Sequence, residues 1–281
     1  METSFNPASA GKGSELNVVA AYAIDMAGFQ NNPRTMYVSA DMPFYALKSY
    51  HGAGIRVVTD KIGLFTHTNV ALQYNYKRSL FKGQLAAGLQ LGFISEKFDF
   101  SKADANDSSD PLLSSSSSDN GSGLDIALGL YYDHKDWYAG LSVQHLNKPE
   151  VELGERARFT VDPTYYLTGG GNIRFENPFF TVRPSLLART DGTAWRADVT
   201  ARLVYSRDNK MMYGGVGYSP ANSVTVLLGG NFHGVVIGYS YEVYTSAINP
   251  GNGSHELFLG YKHNINLVKK GRNRHQSVRI L

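Results

Sequence analysis

Apolar and polar residues alternate with a period of two through most of this chain. The segment that begins at Trp195 has apolar odd positions and polar or charged even positions, in the order Trp195, Arg196, Ala197, Asp198, Val199, Thr200, Ala201 and Arg202. Successive side chains of a β-strand point to opposite faces, so this pattern predicts a strand with one apolar face. Similar alternation recurs along the chain, and no window of comparable length has a convincing helical period. The sequence therefore predicts an all-β fold.

The alternating segments are long enough to cross a lipid bilayer. Most run for about 10–12 residues, whereas strands of soluble proteins are usually ~5–6 residues long and a tilted membrane-spanning strand needs ~9–11. The second face combines glycine, serine and threonine with arginine and acidic residues, which is the composition of a barrel interior. The pattern favours a transmembrane antiparallel β-barrel over the alternative, a soluble β-sandwich or propeller.

About fourteen strands are predicted, and bacterial single-chain barrels have even strand numbers. They cover residues 16–25, 34–43, 52–59, 65–77, 83–94, 123–133, 136–146, 163–176, 179–190, 194–207, 210–219, 222–232, 234–244 and 253–264. Tight turns alternate with the long segments 95–122, 147–162 and 245–252. Because short turns belong to the periplasmic side and long loops to the outside, both termini are predicted to be periplasmic.

This topology predicts three parts of the chain. Residues 1–15 form an N-terminal periplasmic or plug segment, residues 16–264 form the barrel, and residues 265–281 form a basic periplasmic tail. Met1 is followed by polar residues rather than by an apolar stretch, so we expect no export signal in the chain as given.

Composition excludes several functional classes. Mean hydropathy is −0.26 and no long apolar run is present, which excludes a helical membrane protein. The absence of cysteine excludes disulfides, thiolate zinc sites and cysteine nucleophiles. A net charge of +3 is too balanced for a general nucleic-acid binder.

Few residues are arranged for catalysis. The eight histidines are scattered, and the chain has no paired metal-binding motif, nucleophile elbow or phosphate-binding loop. We therefore predict neither enzymatic activity nor a cofactor or metal site. Residues 104–110 space acidic side chains like the start of a calcium loop, but the glycine and glutamate of such a loop are missing. A solvated acidic loop is the favoured interpretation.

Charged residues cluster on the polar faces of the C-terminal strands. They are Arg174, Arg183, Arg189, Arg196, Asp198, Arg202, Glu242, Glu256 and Lys262. One interpretation is an internal salt-bridge network that fills the lumen, and the other is a selectivity surface for a solute. The sequence leaves both interpretations open.

The C-terminal tail is basic. Residues 267–281 hold five Lys and Arg and no acid. One interpretation is a solvated tail near the membrane surface. The other is a periplasmic docking segment whose cations attract an acidic partner and whose apolar end adds buried contact. The candidate partner-binding residues are Lys269, Lys270, Arg272, Arg274, Arg279, Ile280 and Leu281.

Five short motifs follow one another along the chain, at residues 5–11, 52–63, 137–146, 165–170 and 253–261. The motif residues that we single out are Asn6, Pro7, Ala8, Gly11, Asp60, Trp137, Tyr138, Gly140, His145, His255 and Glu256. In this order the motifs resemble those of the PorP/SprF family. The members of that family are outer-membrane barrels of the type IX secretion and gliding machinery of Bacteroidetes.

The resemblance implies a non-enzymatic role in the bacterial outer membrane. The implied partners are outer-membrane lipid, periplasmic secretion components, a peptidoglycan-linked lipoprotein and secreted adhesin cargo. An anchoring role fits this implication, since fourteen strands enclose too narrow a lumen for a folded protein. The alternative is an outer-membrane transporter or porin for small or hydrophobic solutes, similar to fatty-acid channels. That alternative predicts an apolar binding pocket and a lateral opening in the wall.

Overall fold

The computed structural model describes residues 2–99, 118–153, 157–208, 210–246 and 252–265. The first strands are β1 Glu15–Ile24, β2 Arg34–Ala46, β3 Ser49–Ile62, β4 Phe65–Leu80, β5 Gly83–Asp99, β6 Ser118–Asp133, β7 Trp137–Gln144, β8 Glu150–Leu153 and β9 Ala157–Thr160. The remaining strands are β10 Thr164–Gly171, β11 Ile173–Arg174, β12 Phe180–Thr190, β13 Trp195–Arg207, β14 Lys210–Ser219, β15 Ser223–Phe232, β16 Val235–Tyr244 and β17 Ser254–Asn264.

The strands form a closed antiparallel barrel. Neighbours in the chain pair with each other, β1 pairs with β17, and β10 pairs with β12, so the sheet has no open edge. The short strands β10 and β11 together make one strand of the wall, and β8 and β9 form a separate hairpin. The barrel therefore has 14 strands, which confirms the predicted fold class and strand number. No helix among the described residues is long and apolar enough to cross a membrane.

The two faces of the wall follow the alternation in the sequence. On β13, Val199 lies on the outer face and is 50% exposed, whereas Thr200 lines a cavity in the lumen. The two tryptophans lie on the outer face at opposite ends of the barrel, Trp137 at the start of β7 and Trp195 at the start of β13. Amphipathic aromatic rings favour the interface between lipid and water, so these positions are typical of aromatic girdles.

The two ends of the barrel differ in the length of their connections. The terminal end is the end at which β1 begins and β17 ends, and it has short turns such as residues 47–48, 81–82 and 233–234. The opposite loop end has the long segments, including residues 100–117 and 145–163, together with some short turns. That the terminal end is periplasmic stays a prediction.

Two predicted loops contain more strand than expected. The predicted loop 95–122 is shorter, because β5 continues to Asp99 and pairs with the beginning of β6 at Ser118. Pairing satisfies the backbone groups of both extensions. The predicted segment 147–162 contains the hairpin β8–β9, in which Val151 is fully buried and which packs on β5 and β6. Four-residue strands are too short for alternation to be recognised in the sequence.

Candidate functional site in the barrel lumen

Residues 2–14, here called the plug, fold back into the barrel from the terminal end. The plug contains two short 3-10 turns, Glu2–Ser4 and Pro7–Ser9. Asn6 caps the second turn, since its Oδ1 accepts a hydrogen bond from the Ala8 N–H at 2.9 Å. Proline is favoured at the first position of such a turn, because its missing N–H has no partner there. Asn6 and Ala10 are completely buried.

Lumen-facing side chains satisfy the backbone carbonyls of the plug. The donors are Arg56, Gln73, Asn75, Lys77, Ser142 and Gln144. Arg56 Nη1 lies 2.6 Å from the Ser4 oxygen, and Gln144 Nε2 lies 2.7 Å from the Phe5 oxygen. The plug has little regular secondary structure, so its buried carbonyls need such donors. The wall therefore holds the plug by its backbone.

The donors are themselves held in position. Arg56 Nε donates to Gln90 Oε1 at 3.0 Å, and Arg56 Nη2 donates to Gln144 Oε1 at 2.9 Å. Gln73 Nε2 donates to Gln90 Oε1 at 2.9 Å as well as to the Thr3 oxygen at 2.8 Å. A connected and satisfied buried network specifies one arrangement, because a misplaced member leaves a polar group unpaired.

Glycines of the wall make room for the plug. A Cβ atom on Gly88 would lie 2.3 Å from the Ala8 nitrogen, and one on Gly52 would lie 2.1 Å from the Ala10 oxygen. A Cβ atom on Gly129 would lie 2.1 Å from Asn6 Oδ1. Only glycine allows the plug backbone to approach the wall this closely.

Lys12 attaches the plug to the wall at the terminal end. Its Nζ donates to the Tyr131 hydroxyl at 2.7 Å and lies 3.4 Å from Asp133 Oδ1 and 3.5 Å from Glu2 Oε2. The same ammonium lies 4.6 Å from the ring centre of Tyr138, a distance at which a cation is attracted to the ring. These contacts join both ends of the plug to β6 and β7.

The other half of the lumen contains charged cavity space. A cavity of about 230 Å³ is lined by strands β13–β17 and the end of β1, and in it Arg196 pairs with Asp198 at 2.9 Å and with Glu242 at 3.0 Å. Asp25 and Glu256 also line this cavity. Both earlier interpretations keep support, because an ion pair joins β13 to β16 on the inner face and open space remains beside it.

A second cavity lies between the plug and strands β1–β3. Its volume is about 240 Å³, and its lining includes Ala21, Tyr37 and Val58. It shares Ala23 and Glu256 with the charged cavity. The space beside the plug is therefore partly apolar and is bordered by charge.

The predicted lumen charges lie on the inner face of the wall, and Arg174, which stands opposite Thr181 in the ladder between β11 and β12, lies on that face at the rim. Its Nη1 donates to Asp136 Oδ1 at 2.6 Å at the exposed rim of the terminal end. The pKa of the Asp136 carboxyl is held below its ordinary value by this hydrogen bond. The strand is interrupted near this rim at Asn172, whose N–H bonds to the Asp136 oxygen. Lys262 pairs with Glu15 at 3.5 Å near the same end.

The structure brings only some of the motif residues together. Asn6, Pro7, Ala8 and Gly11 belong to the plug, and the Gly140 position is beside Asn6 Nδ2. Tyr138 also contacts the plug, through Lys12, and the remaining motif residues lie elsewhere. Asp60 accepts a hydrogen bond from Thr35 near the loop end, His145 bonds to Asp125, Trp137 and His255 lie on the outer face, and Glu256 lines both cavities.

Most of the wall residues that hold the plug, including Gln73, Asn75 and Lys77, were not predicted, because their only signal was a polar side chain on the inner face of a strand. Arg56 falls within the motif at residues 52–63 but was not singled out. The candidate partner-binding residues of the tail, Lys269, Lys270, Arg272, Arg274, Arg279, Ile280 and Leu281, lie outside the described residues, as does the acidic segment 104–110. Within the described ranges, no group of three or more His, Asp and Glu side chains is arranged to hold a metal ion.

Replacing Gly129 with alanine is expected to disturb the contact between the wall and the plug. The added Cβ would lie 2.1 Å from Asn6 Oδ1, so we expect a loss of about 1–3 kcal/mol in the free energy of unfolding. Gly217→Ala is the control, because its Cβ would meet only Thr200 and Thr225 side chains, at 3.3 and 3.4 Å, away from the plug. Urea titration of the folded barrel measures both variants. Equal midpoints would contradict the prediction.

Comparison with solved structures identifies other barrels of this shape. The TodX deltaS2S3 mutant monoaromatic hydrocarbon channel has a TM-score of 0.52 and 11% identity, over 92% of this chain and 93% of that chain. The CymD monoaromatic hydrocarbon channel has a TM-score of 0.52 and 11% identity, over 92% and 91%. The P. putida toluene transporter TodX has a TM-score of 0.50 and 10% identity, over 92% of each chain. Such low identities support a shared fold alone.

Comparison with protein families is more specific. No curated protein matches the chain. The family model described as "Type IX secretion system membrane protein PorP/SprF" matches residues 2–261, which include the plug and nearly the whole barrel. The chain therefore belongs to the PorP/SprF family of type IX secretion system membrane proteins.

Proposed function

We propose that this protein is a non-enzymatic outer-membrane barrel that anchors periplasmic components of the type IX secretion and gliding machinery. In that role it supports the export and surface attachment of adhesin cargo. The family and the barrel fold both support an outer-membrane location. The observation that carries the proposal is the plug, which fills one half of a lumen already too narrow for a folded protein.

The filled lumen favours an anchor over a translocation pore. Six side chains of the wall donate hydrogen bonds to the plug backbone. Removing the plug would exchange these hydrogen bonds for bonds to water, at a net cost of about 0.5–1.5 kcal/mol each, so the plugged state is the stable resting state. A protein that passes cargo through its own lumen gains nothing from so many contacts that close it.

A solute transporter is the second candidate. The partly apolar cavity beside the plug supports it, since Ala21, Tyr37 and Val58 offer a small apolar surface. A hydrophobic solute that left this cavity would next meet Glu256 and the charges around Arg196. Apolar molecules are not attracted to charged walls, because the charges would lose hydration. The charged route therefore weakens the transporter candidate.

The lengths of the turns favour an orientation in which the barrel could anchor periplasmic components. Short turns gather at the terminal end, and long connections gather at the loop end. In outer-membrane barrels this asymmetry is typical of a periplasmic terminal end and an external loop end. The basic tail, which includes Lys269, Lys270, Arg272, Arg274 and Arg279, would then lie in the periplasm. There it would attract an acidic surface of a periplasmic partner, and Ile280 and Leu281 would add apolar contact.

Truncation after Asn266 is expected to separate the barrel from its periplasmic partners. The truncated protein keeps every described barrel strand and should stay folded in the membrane. Cross-linked affinity purification from native membranes, followed by mass spectrometry, measures the secretion components that each variant retains. We expect at least a tenfold loss with the truncated protein, about 1.4 kcal/mol or more of lost contact.

Deletion of residues 114–118 is the matched control, because it shortens the chain at the opposite end of the barrel. Full retention of periplasmic components by that control is expected. Co-purification of the truncated barrel at the full-length level, in low and high salt alike, would rule out docking by the tail. Failure of the full-length barrel to retain any periplasmic component would rule out the anchoring role itself.

A further inference from the structure

An outward-facing groove lies at the terminal end, where β13, β14 and β15 meet. Its volume is about 430 Å³. Tyr205, Met212 and Phe232 form its apolar wall, and Met212 and Phe232 are 49% and 42% exposed on the outer face of the barrel. The outer face of a membrane barrel contacts acyl chains, so the apolar part of the groove is positioned for lipid.

Two cations lie at the end of the groove that is nearest to the barrel rim. Arg207 and Lys210 stand directly opposite each other in the ladder between β13 and β14, and Lys210 stands opposite Phe232 in the next ladder. The Arg207 guanidinium lies 5.7 Å from the ring centre of Phe179, an exposed aromatic residue at the same end of the barrel. Cations and aromatic rings are thus arranged at the depth expected for lipid headgroups.

Little negative charge offsets the two cations. The acid in the lining of the groove is Asp208, which is 88% exposed and whose Oδ2 lies 3.8 Å from Arg207 Nε. Exposed pairs at such a distance interact weakly. His233 completes the polar end of the groove and adds a ring nitrogen. The polar end therefore carries positive charge, directly beside an apolar wall.

We propose that this groove binds an anionic phospholipid, with the phosphate between Arg207 and Lys210 and an acyl chain along Met212 and Phe232. Charge complementarity selects the headgroup, and the position of the apolar wall on the lipid-facing side selects a lipid over a soluble ligand. The assignment to the periplasmic leaflet rests on the proposed orientation of the barrel. Tightly held lipid at this rim would couple the barrel to the leaflet that faces the periplasm.

Native mass spectrometry of the full chain, released from detergent, tests the proposal with phosphatidylglycerol and phosphatidylcholine as probes. The double variant Arg207→Gln/Lys210→Gln is expected to bind phosphatidylglycerol at least about tenfold more weakly, since each cation near a headgroup contributes to anionic lipid affinity. Binding of phosphatidylcholine should change by less than about twofold. The control Lys48→Gln/Lys82→Gln removes the same charge from two turns at the same end, outside the groove.

Each outcome decides the proposal. Loss of phosphatidylglycerol binding only in the groove variant supports it, and equal loss in both double variants overturns it. Competition by soluble glycerol phosphate as strong as by the lipid also overturns it, because the site would then hold a free phosphate. If the double variant fails to fold, Lys210→Gln alone should weaken binding about threefold, and an unchanged affinity overturns the proposal. The assay contains no secretion component, so its failure is distinct from failure of the anchoring role.

Discussion

Deletion of residues 2–13 is expected to turn a barrel whose lumen is half filled into a conducting pore. These residues fill the lumen between β2 and β7, and the wall side chains that hold them are polar and would become hydrated. Barrels with somewhat more strands leave aqueous channels, so we expect conductance to rise by at least about tenfold. Single-channel recording in planar bilayers measures this change. Equal conductance of the deleted and intact proteins would contradict the prediction that the plug limits conductance.

Asn6→Ala tests the same prediction with one side chain. Asn6 Nδ2 donates to the Leu130 oxygen at 3.0 Å and the Leu141 oxygen at 3.2 Å, and its Oδ1 accepts from Ala8. Loss of these bonds leaves the Ala8 N–H without its side-chain acceptor and breaks the two bonds that join Asn6 to β6 and β7, at a net cost of about 0.5–1.5 kcal/mol each. We therefore expect frequent opening events. The control Asn231→Ala removes a bond to the Gly234 N–H in a turn away from the plug and should leave conductance unchanged.

Val199→Arg is expected to destabilise the barrel strongly. Val199 faces outward near the middle of β13, and an arginine on the lipid-facing side of a barrel costs about 2–4 kcal/mol at the bilayer midplane, less toward the interfaces. Urea unfolding in phospholipid vesicles, followed by heat-modifiable mobility on gels, measures the free energy of folding. The folded fraction at intermediate urea should fall by the amount that this loss of folding free energy predicts.

The adjacent position provides a charge-matched control. Thr200 lies one residue further along β13 and lines the charged cavity with Asp198 and Glu242. An arginine there enters a polar space beside two carboxylates, so Thr200→Arg should cost less than about 1 kcal/mol. Similar destabilisation by the two variants would mean that the faces of β13 are assigned incorrectly.

The walls of the barrel could be predicted because the direction of a side chain in a strand is a local property. Alternation in residues 194–207 predicted β13 Trp195–Arg207 to within one residue at its start. Prediction failed where local pattern was weak or interrupted. The break at Asn172 was not predicted within the continuous strand 163–176, and β8–β9 is too short to carry a recognisable alternation.

The candidate site could be predicted only in part. The sequence left open whether residues 1–15 form a periplasmic segment or a plug in the lumen. Nothing in the local sequence distinguishes Asn75, which donates to the Pro7 and Ala10 oxygens, from other inner-face amides. Gly129 likewise resembles the other strand glycines in the sequence, although a Cβ atom there would lie 2.1 Å from Asn6 Oδ1.

By itself, the sequence determined that this chain is an all-β barrel with one apolar face, because alternation is set residue by residue along each strand. Its ordered motifs also carried the resemblance to a secretion family. Only the tertiary structure decided that the lumen is half filled by the N-terminal segment. The contacts that fill it join residues far apart in the chain, such as Asn6 and Leu141, which are separated by 135 positions. Such pairs meet only after the sheet has closed, so no local pattern encodes them.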